Sequence, residues 1–193
     1  MRTNMDRKQE ILEAAYKSFS LFGYKATTMD QVAKIANVGK GTIYTFFENK
    51  EILFQEIVLR MISEMILAAE KEIVPNCPFQ ENAHNVLMKI LQFREVHQLY
   101  AKLVEEEKEL RTPTVKTMLA RVEKEIVSYI AEKINIAIDK KELRPCDSEL
   151  VAYLLFKAYI GFVADWSATH DSELSEERIA ALFRNTILRG LLP

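Results

Sequence analysis

The sequence predicts an all-α protein of about nine helices: a three-helix N-terminal domain followed by a larger helical body. Three observations predict it. Apolar residues recur at helical spacing along most of the chain, and no stretch alternates as a half-buried strand would. Capping residues and glycines interrupt that spacing where helices should begin and end. All five prolines, at positions 75, 78, 113, 145 and 193, lie beyond Ala69 and therefore punctuate only the later part of the chain. The 193 residues suffice for one domain or two small ones, and 49% hydrophobic with 28% charged residues describes a folded globular chain, not a disordered one.

Asp6 or Asn4 can cap the first helix, along which Ile11, Leu12, Ala15, Phe19 and Phe22 share one face. Gly23 is expected to end it as a left-handed C-cap. From Thr27 to Lys50 the chain reads as two very short helices around a tight turn. Thr28, with Gln31 three residues on, forms a capping-box pattern. Val32, Ala33, Ile35 and Ala36 supply an apolar face, and Asn37-Val38-Gly39 breaks the helix. Lys40 to Phe46 forms the second short helix, with Ile43, Phe46 and Phe47 turned inward. Asn49 caps a long helix running to about Ala69, whose apolar coverage is wider than one face and so needs packing on two sides. The domain boundary is expected there: 1–50 as the first domain, 50–69 as a linking helix, 70–193 as the second.

Pro75-Asn76-Cys77-Pro78 reads as a loop. Helices follow from Phe79 to about Phe93, from about Glu95 to Glu109, and from Pro113 to about Asp139, with Thr112 as N-cap and proline at the first helical position of the last. Pro145 and Asp147 introduce a helix from Leu150 to Trp166 that is apolar almost all round. Leu174, Ser175 and Ile179 fit a hydrophobic staple at the start of the final helix. A helix apolar on every side needs protein around it, supplied either by its own core or by a second subunit. Helix-turn-helix readers work as two-fold dimers, which favours the homodimer.

Two short helices around a small-residue turn are the helix-turn-helix arrangement, whose second helix enters the DNA major groove. On Lys40–Phe46 the face left free is Lys40, Gly41, Thr42, Tyr44 and Thr45, and no acidic residue occurs from Gln31 to Phe47. Lys40, Thr42 and Thr45 are the candidates for base edges, and Gly41 lets the backbone approach closely. Thr27 and Thr28 are candidates for phosphate. So is Lys50, at a helix N-terminus that already favours an anion, with a solvated surface role as its alternative. Residues 1–50 carry eight Lys/Arg against five Asp/Glu, while the remainder carries eighteen against twenty-three. A basic first domain joined to an acidic body suits a DNA reader.

The run A-N-V-G-K-G-T-I-Y-T-F-F-E-N-K-E-I-L-F, from Ala36 to Phe54, resembles the signature of the TetR/AcrR family of bacterial transcriptional regulators. A-A-Y-K-S-F-S-L-F-G-Y-K-A-T-T-M, from Ala14 to Met29, resembles that family's first helix and its Gly-Tyr-x-x-Thr-Thr junction. Gly39 departs from the pattern, standing where the family usually has a serine N-cap; glycine is tolerated there. The resemblance implies a dimer built on the last two helices and a phosphate contact for Tyr44, against packing of its ring on the DNA-binding core. It also implies a small molecule in the second domain that shifts the two DNA-binding units apart and releases the operator. The expected protein is a sequence-specific DNA-binding transcriptional regulator, a dimeric repressor released from a palindromic operator by a small apolar or amphipathic ligand.

Phe93, Tyr100, Met118, Tyr159, Phe162 and Trp166 are the candidate pocket residues, as large adaptable apolar surface or as plain core. Glu107 continues the stripe of Tyr100, Leu103 and Val104, so its carboxylate either awaits a cationic partner or emerges into solvent within the Glu105–Glu109 run. His84, His97 and His170 show no metal-ligand spacing, and no cofactor is expected. An enzyme is disfavoured: no nucleophile–base pair or metal cluster is visible, and Gly-Lys-Gly-Thr lacks the spacing of a phosphate loop. A helix-turn-helix that docks protein instead of DNA is the third reading. With neither an export signal nor a membrane-spanning run, and with Cys77 and Cys146 joined by no motif, the expected location is the cytoplasm.

Overall fold

The computed structural model describes residues 4–166, 170 and 174–193, without the side chains of residues 94 and 95. Nine helices run through them and no strand does: α1 (Asn4–Ala26), α2 (Met29–Ile35), α3 (Lys40–Phe46), α4 (Lys50–Glu72), α5 (Phe79–Leu91), α6 (Arg94–Leu110), α7 (Pro113–Asp139), α8 (Ser148–Ile160) and α9 (Glu176–Leu182). A π-helical turn, Gly161–Asp165, extends α8. α9 continues through a second one, Phe183–Leu188, into a 3-10 turn at Arg189–Leu191.

Local chemistry places most of the helix starts. Thr28 caps α2 by accepting the Gln31 N–H at 3.2 Å, while the Gln31 side chain takes the Thr28 N–H at 2.9 Å, a complete capping box. Asn49 caps α4 through the Ile52 N–H, Asp147 caps α8 through Leu150, and Ser175 caps α9 through Arg178. Gly39 begins α3 with no side-chain cap, as the departure from the family pattern implied. Thr112 differs from its expected role: α7 does start at Pro113, but the Thr112 hydroxyl is buried without a hydrogen-bond partner.

The described residues pack as two compact units, Met1–Met61 with Glu95–Arg121 and Ile62–Arg94 with Val122–Pro193. The division differs from a cut near residue 70. α6 and the start of α7 belong with the helix-turn-helix, because Leu99, Leu103, Val115 and Met118 are buried there and not in the second body. In the first unit Ile11, Phe19, Val32, Ile43, Phe47 and Phe54 are all but inaccessible. Phe19 meets Phe54 edge-on at 5.1 Å between ring centroids, and Tyr24 tilts over Phe54 at 4.8 Å. Phe22 and Ile35, expected in this core, are 52% and 49% exposed: the buried arc of α1 narrows after Phe19, and that of α2 is carried by Met29, Val32 and Ala33.

Gly23 interrupts α1 instead of ending it. Its backbone takes φ 78°, ψ 176°, and the helix resumes to Ala26. The second unit is centred on Leu91, Tyr159, Ile179, Ala180 and Phe183, with Leu174 packed against them as a staple would. Within that unit the outer face of α8 stays uncovered, Leu150, Tyr153 and Leu154 being 66%, 44% and 52% exposed.

Candidate nucleic-acid interface

α3 buries Ile43 and leaves Lys40, Gly41, Tyr44 and Thr45 exposed, with Thr42 partly so. Five of the eight expected DNA-facing residues therefore share one solvent-open face. Lys40 and Thr45 already have partners within the chain. Lys40 Nζ lies 3.0 Å from Asp30 on α2, and that hydrogen bond raises the ammonium above its ordinary pKa. Thr45 donates its hydroxyl to the Gly41 carbonyl at 3.0 Å, which leaves its oxygen free to accept. Apart from its chain neighbours and its own helix backbone, no described atom stands within 4 Å of where a Gly41 side chain would begin, so tertiary packing does not demand glycine there. Thr28 is exposed at the start of α2, its hydroxyl already engaged in the capping box.

Thr27 and Lys50 are placed elsewhere, and both expectations of phosphate contact are revised. Thr27 is fully buried: its hydroxyl donates to the Gly23 carbonyl at 2.8 Å and meets Ser18 Oγ at 3.0 Å. Lys50 folds back, donating to the carbonyls of Tyr24 at 2.8 Å and Thr27 at 2.9 Å and approaching that of Lys25 at 3.4 Å. Its ammonium also sits 4.4 Å from the Tyr24 ring centroid. Burial lowers the Lys50 pKa, with the Glu106 carboxylate acting in the opposite direction. A lysine at the start of α4 thus supplies donors to the carbonyls at the α1–α2 junction.

The carboxylate turned inward on α6 is Glu106, not Glu107. Leu99, Leu103 and Glu106, spaced at i, i+4 and i+7, form the buried face, one residue out of phase with the stripe drawn through Tyr100. Glu106 accepts the Lys25 N–H. Glu107 instead borders a shallow surface groove with Lys108, Arg111, Pro113 and Lys116.

A cavity of about 250 Å3 lies within the second unit, between α4, α5, α7, α8 and the π-helical turn that follows α9. Met65, Ile66, Val86, Ile126, Ile130 and Phe156 are among its walls. Tyr159 is the expected pocket residue that lines it; burial alone raises the pKa of its hydroxyl. The other candidates are elsewhere. Tyr100 and Met118 belong to the first unit, whereas the Phe162 ring meets Trp166 at a tilt and Phe183 edge-on, and Phe93 lies past the end of α5. Polar groups on the wall are largely spent on one another or on the chain: Lys133 pairs with Glu70 at 2.6 Å, Asn82 bonds the backbone of Val74 and Cys77, and Glu142 takes the Phe79 N–H. Among the described residues no group of three or more His, Cys, Asp or Glu could hold a metal ion, and no helix is long and apolar enough to cross a membrane.

Comparison with known proteins decides the family. Residues 11–57 match the profile of bacterial regulatory proteins, tetR family. The HTH-type transcriptional regulator YhgD of Bacillus subtilis (strain 168) is 48% identical over 188 residues, spanning 97% of this chain and 98% of its own. The chain belongs to the TetR family. It is a transcriptional regulator of helix-turn-helix type, and its relatives are regulators, not enzymes. The protein of Escherichia coli (strain K12) named "Probable acrEF/envCD operon repressor" is 26% identical, covering 96% of this chain and 87% of its own. A solved structure titled "SmeT-Triclosan complex" is 16% identical with a TM-score of 0.78 over 97% of this chain and 92% of that one, a likeness of fold.

Within this TetR-family chain, α3 and the N-terminus of α2 hold the solvent-open candidate residues, and Thr27, Lys50 and Glu106 build the junction that leads into them. A sequence signal for Glu106 existed in the Leu99–Leu103 spacing; the cavity walls had none, because they draw on elements scattered from α4 to the turn after α9. Lys50→Met should lower stability by about 1–3 kcal/mol through lost charge-assisted hydrogen bonds. The slope of operator affinity against salt should keep its wild-type value, since a phosphate-contacting cation would lower it by about one unit. Thermal melts and salt titrations check both; a slope lower by one would return Lys50 to the phosphates.

Proposed function

We propose that this TetR-family regulator is a dimeric repressor that reads a palindromic operator through α3 and is released by a small, predominantly apolar ligand. The exposed, acid-free face of α3 carries the reading: Lys40, Thr42 and Thr45 read bases, Tyr44 contacts a phosphate, and Thr28 lies at the α2 N-terminus beside them. Tyr44 is 44% exposed, more than a ring belonging to the core would be. Phosphate contacts position the protein and base contacts specify, so the two kinds of residue separate on substitution. Tyr44→Phe should weaken binding on all sequences alike, by about 0.5–1.5 kcal/mol for one hydrogen bond. Thr45→Ala should change the preferred base at one operator position. Selection of binding sites from random DNA, followed by gel shifts, measures both; an unchanged selected motif for Thr45→Ala would remove it from the base-reading set.

Repression is the mode suggested by the name of the Escherichia coli relative. The uncovered apolar face of α8 supports the dimer, since Leu150, Tyr153 and Leu154 form a patch of the kind that marks association. Leu154→Asp should shift the protein to monomer in sedimentation velocity; a stable dimer in that variant would place the interface elsewhere.

The second-unit cavity supports the ligand. Its walls are predominantly hydrocarbon, and Lys133, Asn82 and Glu142 are engaged by the chain, so a ligand gains mainly by filling shape and leaving water. The SmeT structure has triclosan, by its title, on a similar fold. Ala83→Trp should fill the cavity and abolish binding of N-phenylnaphthylamine, an uncharged apolar dye, while leaving operator binding intact. Dye affinity unaffected by the tryptophan would take the cavity out of the reading.

A further inference from the structure

The α1–α2 junction is gripped from two sides by opposite charges. On one side Lys50 holds the carbonyls of Tyr24 and Thr27. On the other stands Glu106 of α6, a helix outside the helix-turn-helix, 5% exposed. Its two carboxylate oxygens lie 3.1 and 3.2 Å from the Lys25 nitrogen and accept that N–H. The carboxylate also occupies the space in front of Gly23: a Cβ there would stand 2.4 Å from Glu106 Oε2, and Gly23 holds a positive φ of 78° that a side chain would strain. Two features of glycine, its missing side chain and its left-handed freedom, are thus both used where Glu106 arrives. Three residues after Lys25, Thr28 caps α2.

We propose that Glu106 is a positioning residue for DNA binding: by holding the Lys25 peptide and facing the Lys50 ammonium, it sets the direction in which the chain enters α2 and so the presentation of α3. The carboxylate touches no part of the α3 face, so its effect on DNA is exerted through the junction. Electrostatics alone predicts the opposite sign, because removing a negative charge from a DNA-binding unit favours a polyanion. The sign of the effect therefore separates a positioning role from simple charge.

The inference rests on operator reading by α3, and the experiment keeps the two apart. Operator affinity of the full-length protein is measured by fluorescence anisotropy for wild type, Glu106→Gln and Glu106→Ala, at a temperature where circular dichroism shows each folded. Glu106→Gln keeps an acceptor for the Lys25 N–H but not the charge facing Lys50, so it should bind several-fold more weakly. Glu106→Ala should bind about tenfold more weakly or worse, as expected when a buried donor loses its partner. Hydrogen exchange at the Lys25 amide should quicken in the same order. Unchanged or tighter operator binding by the folded variants would overturn the proposal, as would failure of both to fold, which would make Glu106 a general stability element. A wild-type chain that selects no DNA would remove both readings, whereas wild-type binding with unaffected variants removes this one alone.

Discussion

Helices of seven residues do not hold themselves together in water, because the cost of nucleating a helix is recovered only over a longer run of hydrogen bonds. α2 and α3 are both that short, so DNA reading in this protein depends on their being packed onto longer neighbours. Val32 and Ala33 of α2, Ile43 of α3 and the following Phe47 are buried with Ile11 and Phe19 of α1 and Phe54 of α4. Every residue that α3 contributes to this core is one it cannot offer to DNA, and the remainder of its circumference is what is left for reading. The core and the interface are two sides of one short cylinder.

The connection between α1 and α2 sets how that cylinder is presented. The five residues from Gly23 to Thr27 present backbone groups to partners outside both helices. Buried groups of that kind must find partners. The chain supplies them from a distance: an ammonium from the start of α4 for the carbonyls, a carboxylate from α6 for an N–H, and the Thr27 hydroxyl for the Gly23 carbonyl. Charged partners make stronger hydrogen bonds than neutral ones, and the two charges also offset each other's burial. Residues that look like DNA contacts because they are polar and lie near the helix-turn-helix are thereby consumed in building it.

The second unit follows a different logic. Its cavity is walled mainly by aliphatic and aromatic side chains, and Lys133, Asn82 and Glu142 at its margin are tied to another side chain or to backbone. Selectivity in such a space comes from shape and from the exclusion of molecules that would bury an unpaired polar group.

The sequence by itself determined the helix content, the positions of most helix starts and the family, because these rest on local chemistry. Thr28 with Gln31, Asn49, Asp147 and Ser175 each cap from within three residues, and the Ala36–Phe54 signature is contiguous. It also placed Lys40, Gly41, Thr42, Tyr44 and Thr45 on one face, since the period of a single helix does so. Only the tertiary structure decided that Thr27 is buried, that Lys50 turns back to the junction, that Glu106 and not Glu107 faces inward, and that Tyr159 lines the cavity while Phe162 and Trp166 do not. A helix one residue out of phase rotates by about 100 degrees, which periodicity over a few apolar residues does not resolve. A lysine's four-carbon stem reaches partners that no spacing in the sequence names.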